Sequence, residues 1–325
     1  MKPITVLFNT YPVAFDCPGG GEVQLLNCRA ALERRGVRVL LYNQWSPQFA
    51  EADIVHYFST QGWIVPFFGA VRKHGLPLVV SPIIWLGENK YDYDLHGIGF
   101  AVSNCDLALP NSRAERSLLA NYFNLPADRF EPVVNGVDDF FFESSSPIPF
   151  CERYGIGGPF LLCVANIEPR KNQRRLIEAS RDCGMELVLA GRIRDESYWS
   201  ECESVMHGGV RYIGPIDYAS ELHRSAYAAC HAFVLPTLLE TPGLAALEAA
   251  AQGTPICITS VGCTEEYFAE HAEYVNPEST ESIREGLLAV MERARSAALQ
   301  NHVRTHYTWD SAAQQLEDIY RRFVT

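Results

Sequence analysis

Short apolar runs alternate with amphipathic stretches from the first residues onward. Residues 4–8 form an apolar run of strand length. Gly19, Gly20 and Gly21 follow as a turn, and residues 22–35 then place Val23, Leu26 and Ala30 on one helical face, with Gly36 as the stop. Residues 37–42, 53–58, 78–84 and 106–109 read as further strands, each followed by a turn or helix. This alternation predicts a parallel sheet covered by helices on both faces.

The pattern pauses at residues 143–150, which hold three serines and two prolines and read as a linker. It then restarts. Residues 160–164, 186–190, 210–213, 231–235 and 254–259 are the next strands, with helices over 172–180 and 221–229 between them. The expected organisation is an α/β domain over residues 1–145, a second over 151–305, and a last helical segment over 306–325. That segment aligns Ala312, Leu316, Ile319 and Phe323 in one stripe that needs a surface to pack on. In open α/β sheets ligands bind beyond the carboxyl ends of the strands, and two such domains facing each other would leave a cleft there.

Composition narrows the partners. The 325 residues are 47% hydrophobic and 20% charged, the balance of a chain that buries a core. A net charge of -12 repels nucleic-acid backbones, whereas a small phosphorylated ligand needs only a local pocket of opposite sign. Ten cysteines occur without a Cys-x-x-Cys pair, so neither a zinc site nor a redox dithiol is expected, and the thiols read as reduced in a cytoplasmic protein. The first nine residues lack the longer apolar core of a signal peptide. Pro82, Pro236, Glu240, Pro242, Glu248 and Pro255 interrupt the most apolar windows, so none is expected to span a bilayer.

The richest segment is 235–255. Glu240 lies in a loop after an apolar strand, Pro242 suits the first position of a helix, and Gly253 suits its end. Free N–H groups near Gly243 and Leu244 would seat a phosphate at the positive pole of that helix. Glu248 lies about one turn further on, among Ala245, Ala246, Leu247, Ala249, Ala250 and Ala251. A carboxyl in so apolar a helix needs a partner, such as vicinal ribose hydroxyls. Arg170 and Lys171 follow the strand at 160–164 and could neutralise a diphosphate; alone they read equally as a solvated basic pair. Gly191 and Arg192 end another strand.

These pieces together resemble the retaining GT-B glycosyltransferases, family 4 in particular. Glu240 and Glu248 are separated by seven residues and followed by Ala-x-Gly-Thr-Pro; Asn135 to Asp138 read Asn-Gly-Val-Asp; Glu168 to Gln173 read Glu-Pro-Arg-Lys-Asn-Gln. The early Gly-Gly-Gly also fits. The resemblance implies a GT-B fold of two facing Rossmann-like domains, with the C-terminal helix crossing back onto the first. It implies a nucleotide-diphosphate sugar donor, a glycan or lipid-linked acceptor, and transfer with retention and without a metal or other cofactor. On that resemblance Lys171 and Arg170 contact the diphosphate, Glu240 holds the transferred sugar, and Glu248 the ribose. Gly20, Gly21, Asn166, Gly191, Arg192, Gly243 and Leu244 complete the donor set.

Two departures stand out. Asn166 occupies a place where the family pattern often carries Arg, and residues 78–89 hold no His where many members have one near the sugar. His56 reads as a packed or surface residue. Trp85, Glu88, Asn89, Tyr91 and Asp92 form a polar, aromatic loop and a candidate acceptor surface, though an ordinary lid loop has the same composition. His302 and His306 share a helix face without an evident third metal ligand. The alternatives are a nucleotide-sugar epimerase or phosphorylase of the same fold, or a degenerate sugar-nucleotide-binding protein. The expected place is the cytoplasm, with peripheral membrane contact at its inner face left open.

Overall fold

The computed structural model describes residues 4–16, 18–62, 64–87 and 93–324. Glu88, Asn89, Tyr91 and Asp92 therefore lie outside the described residues. The chain divides into two units, one of residues 1–136 with 309–325 and one of residues 137–308.

The first unit runs β1 (Thr5–Asn9), α1 (Gly20–Arg34), β2 (Arg38–Leu41), β3 (Ile54–Phe58), α2 (Ile64–Lys73), β4 (Leu78–Ser81), α3 (Leu95–Asn104), β5 (Leu107–Ala108) and α4 (Arg113–Phe123). Its sheet has the order β2-β1-β3-β4-β5 and every pairing is parallel. The chain grows to one side of β1 and then to the other, so the strand order reverses between β1 and β3. The expected strand at 106–109 shrinks to two residues at the sheet edge.

The second unit runs α5 (Ile148–Tyr154), β6 (Phe160–Val164), α6 (Gln173–Ser180), β7 (Glu186–Ala190), α7 (Glu196–Val205), β8 (Val210–Tyr212), α8 (Glu221–Ala229), β9 (Ala232–Leu235), α9 (Leu244–Ala251), β10 (Ile256–Thr259), α10 (Thr264–Phe268), β11 (Ala272–Val275), α11 (Thr280–Met291) and α12 (Ala297–His306). Its sheet is also parallel, in the order β11-β10-β9-β6-β7-β8, and reverses between β6 and β9. β11, unanticipated from the sequence, is an edge strand of Ala-Glu-Tyr-Val whose middle two residues are half-buried. Too little of it is buried to leave a hydrophobic run.

The serine and proline run at 143–150 is not a free linker. It belongs to the second unit. Phe141, Phe142 and Phe150 are buried there. Gln252 donates to the carbonyls of Phe141 and Glu143, Arg224 pairs with Glu143, and the Ser225 hydroxyl donates to the Ser146 carbonyl. Burial of the phenylalanines and these side-chain bonds outweigh the turn-like composition.

The last helix, α13 (Trp309–Phe323), packs on α1 within the first unit. Ala312, Leu316, Ile319 and Tyr320 are buried, and Arg35 pairs with Glu317 at 3.0 Å beside them. Tyr320 replaces Phe323 as the innermost aromatic of the stripe. Its hydroxyl reaches Nδ1 of His56, 2.7 Å away in β3, and the other ring nitrogen meets the Ser81 hydroxyl at 2.9 Å. His56 is fully buried between Phe8 and Phe58, and burial pushes its pKa down to about 3. A neutral imidazole with one donor and one acceptor nitrogen satisfies both contacts. His56 is thus a packed core residue that ties the C-terminal helix to the central sheet.

Tyr320→Phe removes one partner of a buried imidazole and leaves a ring nitrogen unsatisfied. The first unit should lose about 1–3 kcal/mol of stability, read from urea unfolding. An unchanged midpoint would show that this hydrogen bond contributes nothing to holding α13.

Candidate functional site

The reversal between β6 and β9 is where a parallel α/β sheet opens a crevice at its carboxyl edge. The register sets Leu161 against Ala232 and Leu162 against Phe233, so Val164 and Leu235 end level. The loops that leave these two strands carry most of the candidate residues.

They meet at one ion pair. Lys171 Nζ lies 2.6 Å from Glu240 Oε1, with side-chain exposures of 15% and 7%. An unpaired charge in so little water would be costly, so each side chain fixes the other. The loops are braced around this pair. Leu238 N–H donates to the Arg170 carbonyl at 2.9 Å. The buried Asn172 amide donates to the carbonyls of Pro236 and Pro277, both at 2.8 Å. On the far side Glu240 meets Gly262. The Glu240 carbonyl accepts from Cys263 N–H, and its N–H donates to the Val261 carbonyl. Gly262 has φ +113°, and a Cβ there would stand 1.9 Å from the Glu240 carbonyl oxygen, so this approach admits only glycine.

Arg170 does not present a free guanidinium. One nitrogen donates to the Leu239 carbonyl at 3.2 Å, and another pairs with Glu168 at 3.3 Å. Glu168 also pairs with Arg194. Arg170 thus helps join the two loops and keeps part of its charge toward solvent, its side chain 48% exposed.

α9 begins immediately after this junction. It starts at Leu244 with Gly243 as its N-cap, so Pro242 precedes the cap instead of opening the helix. In the helices α7, α8, α11 and α12 of the same unit, a first-turn amide N–H donates to the N-cap side chain of Asp195, Ser220, Ser279 and Ser296. Gly243 has no side chain to do this. The first amides that bond back to Gly243 are those of Ala246 and Leu247. The N–H groups of Gly243, Leu244 and Ala245 have no acceptor among the described residues. Leu244 and Ala245 are half-exposed. These are donors at the positive pole of a helix.

Glu248 sits one turn into α9, about 6 Å along its axis from Leu244. Its neighbours differ from those of Glu240. The Tyr227 hydroxyl donates to Oε2 at 2.8 Å, and His223 Nε2 lies 3.0 Å from that hydroxyl. Burial pushes the Glu248 carboxyl up to about 8; the Tyr227 hydrogen bond opposes the rise and the Asp138 carboxylate adds to it. Burial likewise lowers His223 to about 4, so the histidine is neutral. Oε1 has no hydrogen-bond partner among the described residues. Among the described residues no hydrogen bond or ion pair joins Glu248 to the Lys171–Glu240 pair: Glu240 lies on the loop before α9 and Glu248 a turn inside it.

The remaining candidates are scattered. Gly191 has φ +153°, and a Cβ there would lie 1.8 Å from the Ala165 carbonyl oxygen, so its close approach to the β6 loop is a packing requirement. Arg192 is exposed, while its carbonyl accepts from Ile167 N–H. Asn166 is half-buried and its carbonyl accepts from the Gln173 amide. Gly20 and Gly21 form the first turn of α1 in the first unit, not the turn before it. There the Glu22 carboxylate accepts the Gly19 N–H and the Tyr11 hydroxyl. Trp85 is half-buried after β4, and His302 spends Nε2 on the Tyr267 carbonyl.

Sequence reasoning missed His223 and Tyr227, whose four-residue spacing on α8 sets both on one face. It also missed Gly262, which no local motif marks.

Residues 154–305 match the family model described as glycosyl transferases group 1. The chain is 25% identical over 237 residues to O-antigen chain mannosyltransferase B of Escherichia coli, which covers 68% of this chain and 62% of that protein. It is 25% identical over 301 residues to an uncharacterized glycosyltransferase of Methanocaldococcus jannaschii, covering 83% of this chain and 75% of that one. The chain thus spans about three-fifths of the first relative's length. Among solved structures it resembles Anabaena HepE in complex with UDP and glucose, with a TM-score of 0.81 at 18% identity, covering 98% and 100% of the two chains. Sucrose-phosphate synthase from Thermosynechococcus elongatus gives 0.82 at 16%, covering 98% and 99%. The fold is GT-B, two Rossmann-like units, and the second unit carries the group 1 glycosyl transferase pattern.

Glu248→Gln isolates the ionisation of that carboxyl. A folded pKa of about 8 lies above the unfolded value near 4.5, so the native state holds the extra proton between them. The stability this gives is complete below about pH 4.5 and is lost as pH rises through about 8. The variant should match the parent at pH 5 and melt at a higher temperature than it at pH 8 to 9. Parallel melting curves across that range would place the carboxylate in a solvated setting.

Proposed function

We propose that this protein is a glycosyltransferase that binds a nucleotide-diphosphate sugar on its second unit. The observation that carries the reading is the junction of the β6 and β9 loops. A partly buried Lys171–Glu240 pair there stands beside three amide N–H groups without acceptors among the described residues, at the start of α9. That combination suits a diphosphate next to a sugar. The amides and helix pole take phosphate oxygens, the Lys171 ammonium adds donors that it shares with Glu240, and the Glu240 carboxylate accepts sugar hydroxyls. The free oxygen of Glu248 would accept a ribose hydroxyl, with Tyr227 holding the other oxygen in place. The group 1 match over 154–305 and the UDP held by HepE support the donor class.

The mechanism follows from where charge develops. As the bond between sugar and phosphate breaks, negative charge grows on the leaving oxygen. Lys171 and the α9 amides are fixed beforehand and stabilise that charge more in the transition state than in the bound donor. The acceptor hydroxyl attacks the face the phosphate leaves, the configuration at the sugar carbon is retained, and the leaving phosphate takes the hydroxyl proton. The positive charge comes from Lys171, Arg170 and the helix pole, so the proposal needs no metal. Retention and metal independence rest on the resemblance to family 4 enzymes. The acceptor, a glycan or a lipid-linked intermediate, belongs to the first unit in this reading. An epimerase is less well supported, because the family match and the named relatives are transferases.

A screen of UDP-, GDP- and ADP-sugars should raise the melting temperature with at least one donor. Lys171→Ala and Glu240→Gln should each cut transfer by about a hundredfold or more, the usual effect of losing one fixed electrostatic contact. Near-parental transfer in both variants, at matched melting temperatures, would remove the site assignment.

A further inference from the structure

A cavity lies in the first unit, at the carboxyl ends of β1 and β2 and against α2. Its volume is about 670 Å³, within the range of about 300–1,000 Å³ typical of small-molecule sites. The rings of Tyr11, Phe15, Tyr42, Trp45, Tyr57 and Phe67 line it, and no charged side chain does. In a chain with 27 basic and 39 acidic residues, an uncharged lining is a selective feature.

We propose that this cavity seats a neutral saccharide; given the transferase reading above, that saccharide is part of the acceptor. Three observations point there. First, an anionic ligand would bury its charge without a counter-ion, which is costly, so sugar phosphates and nucleotides do not fit. Second, the amides of Asn9 and Gln44 and the Tyr42 hydroxyl line the cavity without a hydrogen bond among the described residues. A pyranose needs this mixture: ring faces against its C–H surface and amides for its hydroxyls. Third, the rim is held in place before any ligand arrives. Trp45 is 88% exposed, yet its backbone N–H donates to Asn43 Oδ1 at 2.9 Å. Gln48 accepts the Asn43 N–H at 3.1 Å and donates to the Leu41 carbonyl at 3.2 Å. The backbone that carries the indole is therefore held, so only the side chain has to be ordered when the ring stacks on a ligand. A lipid surface fits less well, because membrane-seated faces carry Lys or Arg and none lines this one.

The test uses the full chain without nucleotide. Neutral disaccharides of glucose, mannose, galactose and N-acetylglucosamine are titrated by calorimetry and followed by tryptophan fluorescence. A glucuronic-acid disaccharide and phosphatidylcholine–phosphatidylglycerol vesicles serve as comparisons. At least one neutral disaccharide should bind saturably, and Trp45→Ala and Gln44→Ala should each weaken it about tenfold, the loss expected for a stacking ring or a well-placed polar contact. Both residues are exposed, so both variants should melt with the parent. The proposal is overturned if no neutral disaccharide binds at millimolar concentration, if the acidic one binds as well, if neither variant weakens binding, or if Trp45→Ala abolishes vesicle binding instead. A donor-induced melting shift that survives such a failure would leave the transferase reading intact. Saccharide binding without any donor shift would strike the transferase reading, and with it the acceptor role, and leave the saccharide site itself standing.

Discussion

The Lys171–Glu240 ion pair is the contact on which the arrangement of the second unit's carboxyl edge depends. Two loops leave adjacent strands at the same level and have to converge without exposing either charge to a nonpolar interior. The pair solves this only if both loops are fixed to within a few tenths of an ångström, since one buried charge without the other is strongly unfavourable. The surrounding bonds supply that fixity. Asn172 bridges the carbonyls of Pro236 and Pro277, Leu238 donates to Arg170, and Gly262 lets a third loop press against the Glu240 backbone. The position of α9 follows, because its N-terminus is the direct continuation of the loop that carries Glu240.

Two buried glutamates eight positions apart are accommodated by opposite means. Glu240 has an ammonium partner at 2.6 Å. Glu248 has a phenol at 2.8 Å and another carboxylate nearby, and burial raises it to about 8. One is held by an opposite charge. The other is a neutral acid near pH 7 that becomes a carboxylate when hydrogen-bond donors gather at its free oxygen. A polyhydroxyl ligand supplies such donors, so the proton on Glu248 is coupled to what occupies the space beside α9.

Much of the fold was legible in the chain, for physical reasons. Strands such as β6 and β7 are buried on both faces, so they read as unbroken apolar runs whose ends vary little. The α9 segment declared itself because Gly243 and Gly253 bracket an alanine-rich helix that Glu248 interrupts. Edge strands were hidden, as with β11, because half-burial leaves no run to see. The segment at 143–150 misled because serine and proline signal turns locally, whereas Arg224, Gln252 and Ser225, about 80 to 110 residues away, decide its place. The same limit applies within the site. Lys171 and Glu240 could each be picked out as candidates, but their meeting is a consequence of strand order. Tyr227 and His223 became relevant only when α8 packed beside α9. Chemistry carried within one loop is readable from sequence; chemistry assembled across loops requires the topology.

The distribution of charge also separates what each unit can hold. A net charge of -12 would seem to disfavour a diphosphate. Screening confines most surface charges to about 8–10 Å at physiological ionic strength, so the field at a partly enclosed site is set by the groups within it. At the β6–β9 junction those groups are Lys171, balanced by Glu240, and the helix pole of α9. Such a site attracts a compact anion at short range, while the surrounding acidic surface still repels a polyanion such as nucleic acid. The cavity of the first unit has neither cation nor anion in its lining and so gains nothing from charged ligands.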